Sequence, residues 1–350
     1  MEVKKMKKFA AIILAFVITF GLAGTVSAAD VSRIDDYKAL FKPAEGPETN
    51  GVSVEYMYFE PENDGEKHPV VLYFHGMGQG AKQGDQIASN NIALWASPEM
   101  QEKFVSGGAY IIAPRSHEEK GEYWDNDHIG AVKAALDEFT AQRSDSIDFT
   151  RIYVGGFSMG GKMTLKMLTS YPDMFAAAFP MCPAYLPTQE QYQAIADKPI
   201  WLTVSRFDVI AGWYTNSQEI WNNICKTTNV PGDCRLSLMT TVHFPDGKKT
   251  QSNHHVWFAV SNDMFMYDGG KYDNMTTLNA NGEEITLTYP DGMISWLNGY
   301  VSSYDGGAIE STGLCEKNSE STGIMVLNIL KAVLFGAFDL FGTFITTGSC

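Results

Sequence analysis

The 350-residue sequence lacks the patterns that usually mark metal sites, nucleic-acid binding and disorder. It has no Cys-x-x-Cys pair and no mixed cluster of histidine and cysteine, so neither a metal site nor another cofactor is expected. Aspartate and glutamate outnumber lysine and arginine by 41 to 26, which argues against nucleic acid as an electrostatic partner. Hydrophobic residues make up 45% of the chain, and this fraction indicates a globular protein with a large core.

The N-terminus has the three parts of a secretory signal. A lysine-rich start is followed by an apolar run and then by small residues, in the order MEVKKMKKF, AAIILAFVITFGLAG and VSAAD. We predict a signal peptide over residues 1–28, with cleavage after Ala28 or Ala29, and therefore a secreted or cell-surface protein. The alternative is an uncleaved membrane anchor.

All five cysteines follow that segment, and export would permit disulfide bonds. Cys225 and Cys234 flank a short Pro-Gly turn and are predicted to pair. Cys315 and Cys350 form a second candidate pair. Cys182 is predicted to be a small buried apolar residue.

Apolar runs that are typical of buried strands alternate with helical patterns through the middle of the chain. This alternation predicts a mostly parallel sheet with helices on both faces, in one domain over residues 30–304. Within it, residues 275–289 are predicted to form an inserted hairpin that turns at Asn281-Gly282. Residues 305–323 have the composition of a polar linker. Residues 324–350 are predicted to form an apolar helix, for which membrane-surface attachment, docking on its own domain and self-association stay open.

The segment Gly156-Phe157-Ser158-Met159-Gly160 lies between a predicted strand and a predicted helix. A strand that turns directly into a helix crowds its corner residue, so glycines are needed beside it. This corner would expose the Ser158 hydroxyl near the N-terminus of the helix, where backbone N–H groups stabilise negative charge. We predict that Ser158 is a nucleophile, although a Gly-rich turn with an incidental serine has the same pattern.

A nucleophilic serine requires an imidazole base and an acid that orients the base. Among the seven histidines, the consecutive pair His254 and His255 has the best position, because both follow the acid candidate. Asp208 is the predicted acid, since it comes directly after the apolar strand pattern WLTVS. Its rivals lack a buried strand before them; they are Asp197, Asp233 and Asp246.

An oxyanion hole needs two backbone N–H donors. Met159 follows the nucleophile and is predicted to supply one. The loop that begins at His75 after the strand PVVLYF is predicted to supply the other from Met77, with Gly78 as the alternative. Trp124, Trp213 and Trp257, with Tyr123, are candidates for an aromatic substrate platform, and ordinary core packing is the alternative for each.

Several separate stretches resemble secreted α/β-hydrolase esterases of the polyhydroxybutyrate-depolymerase and feruloyl-esterase type, and the related prolyl-oligopeptidase-like hydrolases. The resemblance covers about residues 52–304 and includes HGMGQG and the region from Ile147 to Ala184. His255-Val256-Trp257 resembles the family's H-x-W signature around its catalytic histidine, so His255 is preferred over His254 as the base. The sequence departs from the family at Asn253-His254, where a glycine usually precedes that histidine.

The resemblance implies an α/β-hydrolase fold and a triad in the order Ser158, Asp208, His255. It also implies an exported serine esterase that hydrolyses feruloyl, acetyl or short aliphatic polyester substrates through an acyl-enzyme. The alternatives are a serine peptidase of the prolyl-oligopeptidase-like class and a non-catalytic surface-binding protein that keeps the fold.

Overall fold

A nine-stranded β-sheet organises the computed structural model, which describes residues 29–315. The strand order is β1-β2-β4-β3-β5-β6-β7-β8-β9. The strands are β1 (Lys42–Glu45), β2 (Glu55–Phe59), β3 (His68–Phe74), β4 (Tyr110–Pro114), β5 (Ile147–Phe157), β6 (Ala177–Met181), β7 (Trp201–Ser205), β8 (Arg235–Met239) and β9 (Met275–Asn279). The six strands from β4 to β8 in this order pair in parallel, and the strands at both edges pair antiparallel.

Nine α-helices cover or border the sheet within residues 29–315. They are α1 (Ile34–Lys38), α2 (Asp85–Ala88), α3 (Pro98–Gln101), α4 (Asp127–Ala141), α5 (Met159–Ser170), α6 (Gln189–Ala194), α7 (Gln218–Thr227), α8 (Trp257–Ser261) and α9 (Met293–Asn298). No helix of this range is both long and apolar enough to cross a membrane.

Four of the parallel strands are buried along their whole length, because helices cover a parallel sheet on both faces. Every residue of β3, β4, β6 and β7 is buried, which explains why these segments read as continuous apolar runs. The predicted fold class, an α/β-hydrolase with a mostly parallel sheet, is confirmed.

The predicted hairpin over residues 275–289 is only partly correct. Its first arm is β9, which pairs antiparallel with β8 and so forms the edge of the main sheet. The chain then turns back, and the second arm makes an isolated bridge between Leu278 and Glu284. Gly282 has a positive φ of 81°, whereas Asn281 is not among the positive-φ residues, so the turn is not the predicted two-residue type.

The predicted bond between Cys225 and Cys234 is absent from the structure. The buried Cys234 thiol lies 3.4 Å from Thr228 Oγ1 and 3.6 Å from the Lys198 carbonyl oxygen instead. Cys182 is buried, as expected. The predicted signal peptide, the apolar helix after residue 323 and Cys350 lie outside the described residues, and the predicted linker is described only to residue 315.

Candidate active site

Ser158 occupies the corner between β5 and α5. Its backbone has φ 58° and ψ −112°, a conformation that L-residues rarely adopt and that is typical of strained functional turns. Hydrogen bonds hold this corner in place: the Ser158 N–H donates to the Met181 carbonyl oxygen at 2.8 Å, and Lys162 N–H donates to the Ser158 carbonyl oxygen at 3.0 Å. The strain is therefore supported by contacts to β6 and to the first turn of α5.

The glycines beside Ser158 are required by close backbone contacts. A Cβ atom on Gly160 would lie 2.1 Å from the Phe74 carbonyl oxygen, and one on Gly156 would lie 2.7 Å from the same atom. Such distances are far inside van der Waals contact, so a side chain on Gly160 would push α5 away from β3 and one on Gly156 would push β5 away from it. The two glycines thus allow Ser158 to lie next to the end of β3 and to the loop that follows β3.

An imidazole joins the serine hydroxyl to a buried carboxylate. His254 Nε2 lies 2.9 Å from Ser158 Oγ, and His254 Nδ1 lies 2.6 Å from Asp208 Oδ2. Since an ionised carboxylate can only accept a hydrogen bond, His254 Nδ1 carries the proton and donates a hydrogen bond to Asp208. Nε2 is then unprotonated and can accept the proton of the Ser158 hydroxyl. This is the arrangement in which a serine–histidine–aspartate triad activates its hydroxyl.

Asp208 is fixed at the carboxyl end of β7. Its second oxygen, Oδ1, accepts the N–H of Ile210 at 2.8 Å and that of Ala211 at 3.4 Å. Burial favours the neutral acid, but the hydrogen bond and charge from His254, with hydrogen bonds from the Ile210 N–H and the Cys182 thiol, outweigh it and hold the pKa of Asp208 below its usual value. The carboxylate is thus kept ionised beside the imidazole.

His255, the preferred base, is not the imidazole at this position. His254 faces Ser158, whereas the half-buried His255 lies beside Trp257 and Phe258, with ring centroids 6.0 and 6.2 Å away. The turn before the two histidines fixes the direction in which each imidazole points. In this turn, Asn253 Oδ1 accepts the Val242 N–H at 3.1 Å, and Asn253 Nδ2 donates to the Phe207 carbonyl oxygen at 3.5 Å. The likeness of His255-Val256-Trp257 to the family signature therefore selected the wrong member of the pair.

The two predicted oxyanion donors lie in the loop after β3 and at the first residue of α5. Within residues 29–315, neither Met77 N–H nor Met159 N–H has a hydrogen-bond acceptor, as the predicted oxyanion donors require. The alternative donor, Gly78, is excluded because its N–H donates to Glu118 Oε1 at 2.8 Å. The Met77 side chain is 60% exposed and fills no space in the core. Met77 would therefore contribute to the site through its main-chain N–H.

The buried side chain of His75 fixes the peptide that carries the Met77 amide. His75 Nε2 accepts the Ser116 N–H at 3.2 Å, so Nδ1 carries the proton and donates to the Gly76 carbonyl oxygen at 2.7 Å. In a trans peptide the carbonyl of Gly76 and the N–H of Met77 point in opposite directions. Burial lowers the pKa of His75 to about 4, so the ring is neutral and keeps this tautomer.

Two of the three predicted platform tryptophans are buried instead. Trp124 is fully buried, donates from Nε1 to the His75 carbonyl oxygen at 3.2 Å and packs edge-on against Phe74. Trp257 is also buried, against Phe258 at a centroid distance of 3.7 Å. Their burial favours the alternative role of core packing for both. Trp213 is half-buried and stays a candidate.

One group of side chains in the described residues could bring metal-ligating atoms together. Cys182, Asp208 and His254 offer a thiol, a carboxylate oxygen and an imidazole nitrogen within 4.8 Å of one another. The carboxylate and imidazole already share a proton at 2.6 Å, so a metal would have to displace it. The donor set therefore fits the triad better than a metal centre.

This site and sheet define a chain with the α/β-hydrolase fold. A family model described as the prolyl oligopeptidase family matches residues 115–240, a range that contains Ser158 and Asp208 and ends before His254. Among solved structures, one described as a thermostable esterase superimposes with a TM-score of 0.50 at 23% identity, covering 64% of this chain and 60% of that one. At this identity the likeness shows the fold alone.

Two curated proteins are similar over shorter stretches. A poly(3-hydroxybutyrate) depolymerase from Ralstonia pickettii is 29% identical over 135 residues, which are 35% of this chain and 27% of that protein. Feruloyl esterase B from Thermothelomyces thermophilus is 23% identical over 168 residues, which are 45% of this chain and 50% of that protein. The chain thus spans between about a quarter and a half of the length of these relatives. The predicted resemblance to α/β-hydrolase esterases is confirmed.

Proposed function

We propose that the protein is a serine hydrolase that cleaves carboxylic esters through an acyl-enzyme. The observation that carries this proposal is the continuous hydrogen-bonded line from Ser158 Oγ through His254 to Asp208, with distances of 2.9 and 2.6 Å. A hydroxyl, a base within proton-transfer distance and an orienting carboxylate are the three groups that acyl transfer requires.

The reaction proceeds by two acyl transfers. His254 Nε2 takes the proton of Ser158 as the hydroxyl oxygen attacks the ester carbonyl, and Asp208 stabilises the imidazolium. The Met77 and Met159 amides donate to the developing oxyanion. The carbon–oxygen bond to the alcohol then breaks, and His254 protonates the leaving alkoxide. Water attacks the acyl-Ser158 ester with His254 again as base, which releases the acid and restores the hydroxyl.

The side chains around the site favour an apolar ester. Six exposed, large apolar residues lie on loops that follow the carboxyl ends of strands β3, β4, β6 and β7. They are Met77, Tyr123, Leu186, Phe207, Val209 and Ile210. Because the carboxyl ends of parallel strands share one edge of a sheet, these residues surround the corner that holds Ser158. Feruloyl esters and short aliphatic polyesters are therefore proposed as substrates ahead of acetyl esters.

A substrate panel tests the proposal. Purified protein would be assayed on feruloyl, acetyl and medium-chain aliphatic esters and on peptide amides, and labelled with a fluorophosphonate, with Ser158→Ala as the control. We expect labelling of the wild type alone and faster hydrolysis of the apolar esters. Labelling with faster amide cleavage would favour the peptidase, whereas absence of an adduct would overturn the hydrolase and favour a binding protein.

We also propose that the protein acts outside the cytoplasm, on the basis of the signal-like residues 1–28. Cell fractionation and N-terminal sequencing of the exported protein test this, with a new N-terminus at residue 29 or 30 as the expected result. Retention of the intact N-terminus in a membrane fraction would identify an anchor instead.

A further inference from the structure

Glu118 connects two loops at the edge of the sheet that carries the site. It follows β4, in the short 3₁₀ helix Glu118–Lys120, and its carboxylate reaches the loop after β3. Glu118 Oε1 accepts the N–H of Gly78 at 2.8 Å, and Oε2 accepts the N–H of Gly80 at 3.1 Å. One carboxylate thus accepts from two backbone donors that lie 40 and 38 positions earlier in the sequence.

These contacts decide which loop amide stays available. The Gly76 N–H donates to Gln79 Oε1 at 2.7 Å, and the Gly78 and Gly80 N–H groups donate to Glu118. Met77 lies between two amides that are already bonded, and its own N–H has no acceptor within the described residues. Charge-assisted hydrogen bonds are about twice as strong as neutral ones, so this carboxylate is well suited to hold a glycine-rich loop in one conformation.

The segment that presents Glu118 is itself fixed to the same loop. Arg115 Nη1 donates to the Gly80 carbonyl oxygen at 3.0 Å and its guanidinium pairs with Glu55 at 2.7 Å. The Ser116 N–H donates to His75 Nε2 at 3.2 Å. Both ends of the loop, His75 and Gly80, are therefore bonded to residues 115–118, and Glu118 adds the contact to its centre.

We propose that Glu118 is a positioning residue for the oxyanion hole: its carboxylate binds the Gly78 and Gly80 amides and so keeps the Met77 amide directed at the ester oxygen. This inference rests on the proposed hydrolase function. Glu118 touches no reacting atom. It acts through the loop backbone, and its effect is therefore largest in the transition state, where the oxyanion carries its charge.

Three variants test the role. Glu118→Ala removes both acceptors, and Glu118→Gln keeps one acceptor but places an NH₂ group against the other backbone N–H. Glu122→Gln is the charge-matched control, since Glu122 is exposed four residues further along the chain. Steady-state ester hydrolysis, inhibition by phenylboronic acid, thermal melting and hydrogen exchange of the peptide over residues 76–80 would be measured on each.

We expect Glu118→Ala to lower kcat about 10- to 100-fold, somewhat less than the loss of an oxyanion donor itself, with KM changed less than about threefold. The inhibition constant of phenylboronic acid, whose tetrahedral serine adduct places an oxygen in the hole, should rise by the same factor as kcat falls. Glu118→Gln should lower kcat by a smaller factor, and Glu122→Gln should leave kcat unchanged. Hydrogen exchange over residues 76–80 should accelerate only in the two Glu118 variants.

The proposal is overturned if Glu118→Ala keeps wild-type kcat and boronate affinity. If the melting temperature of this variant falls while kcat and boronate affinity stay unchanged, the role of Glu118 is structural alone. Hydrogen exchange over residues 76–80 can be measured without any enzymatic turnover, so the two proposals can fail separately. A wild type without esterase activity would reject the hydrolase function. Unchanged hydrogen exchange in Glu118→Ala would reject the role of Glu118 in holding the loop.

Discussion

The consecutive histidines at 254 and 255 provide a matched pair of side chains with different surroundings. His254 is buried and bonded to both Ser158 and Asp208. Burial and the neighbouring His254 lower the pKa of the half-buried His255, and Asp208 opposes them more weakly. His255 therefore remains near the site as a neutral, aromatic-contacting side chain rather than as part of the proton path.

Alanine substitutions at the two positions should differ by orders of magnitude. His254→Ala is expected to lower kcat about 10⁴-fold or more, because no base remains within reach of Ser158. His255→Ala should reduce kcat less than about tenfold, since only packing changes. Equal losses in both variants, with normal melting temperatures, would contradict the assignment of His254.

The pKa of His75 predicts a pH dependence of folding stability. An unfolded histidine titrates near 6.5, whereas burial lowers the pKa of His75 in the folded protein to about 4. Between these values the unfolded chain binds more protons, so this contribution to the free energy of unfolding is complete above pH 6.5 and is lost as pH falls towards 4. Its size is about 3 kcal/mol by the linkage relation.

Urea denaturation at pH 7, 5.5 and 4.5 would measure this term. His75→Asn should lose stability less steeply than the wild type as the pH falls, because the titrating ring is gone. Ser116→Ala keeps the ring and should retain the wild-type slope. Parallel pH curves for His75→Asn and the wild type would show that His75 does not carry the dependence.

Helix α5 and strand β3 approach each other more closely than side chains permit. Gly160 is the contact point, since a Cβ there would lie 2.1 Å from the Phe74 carbonyl oxygen and 2.6 Å from the His75 carbonyl oxygen. Both atoms are backbone and cannot rotate away. The position of the serine at the start of α5 therefore depends on a residue without a side chain.

Gly160→Ala should lower the free energy of unfolding by about 2 kcal/mol or more and reduce activity, because α5 must move off β3. Gly232→Ala is the matched control, since a Cβ there would meet nothing within 4 Å. The measurements are thermal melting, soluble yield and ester hydrolysis. A stable, active Gly160→Ala variant would mean that the helix can shift without disturbing Ser158.

Elements that depend on local sequence could be predicted, and those that depend on distant partners could not. The buried strands β3, β4, β6 and β7 are largely continuous apolar runs, and the glycines around Ser158 have a local steric cause. By contrast, the partner of β9 is β8, and the paired residues are 36 or more positions apart in the sequence. The choice between His254 and His255 likewise depends on bonds from Asn253 to Val242 and Phe207. Burial of Trp124 and Trp257 depends on packing that no single segment contains.

Across the whole molecule, a buried ion pair connects segments 160 residues apart. Lys103 Nζ lies 2.8 Å from Asp263 Oδ2, and the side chains are 7% and 0% exposed. Asp263 Oδ1 also accepts the N–H of Ile294 at the start of α9. The pair therefore fastens the region after α3 to the C-terminal helices, and removing one partner would leave a buried charge.

Lys103→Met should lower the free energy of unfolding by about 3–5 kcal/mol at pH 7, and the double variant with Asp263→Asn should recover part of it. Burial already raises the pKa of Asp263, and the lost lysine would raise it further. Because the folded state then binds more protons than the unfolded state, the penalty should shrink as the pH falls below 7. Urea denaturation measures both effects. A penalty that is independent of pH would contradict them.

The proposed triad is contributed by successive crossings of the sheet, with the hydroxyl after β5, the carboxylate after β7 and the imidazole 96 positions beyond the hydroxyl. A polypeptide still emerging from the ribosome, with β8 not yet made, carries an alcohol that has no base beside it. Under the proposed function, acyl-transfer chemistry would begin only late in biosynthesis, and a premature stop codon before position 254 would yield a chain that lacks the base.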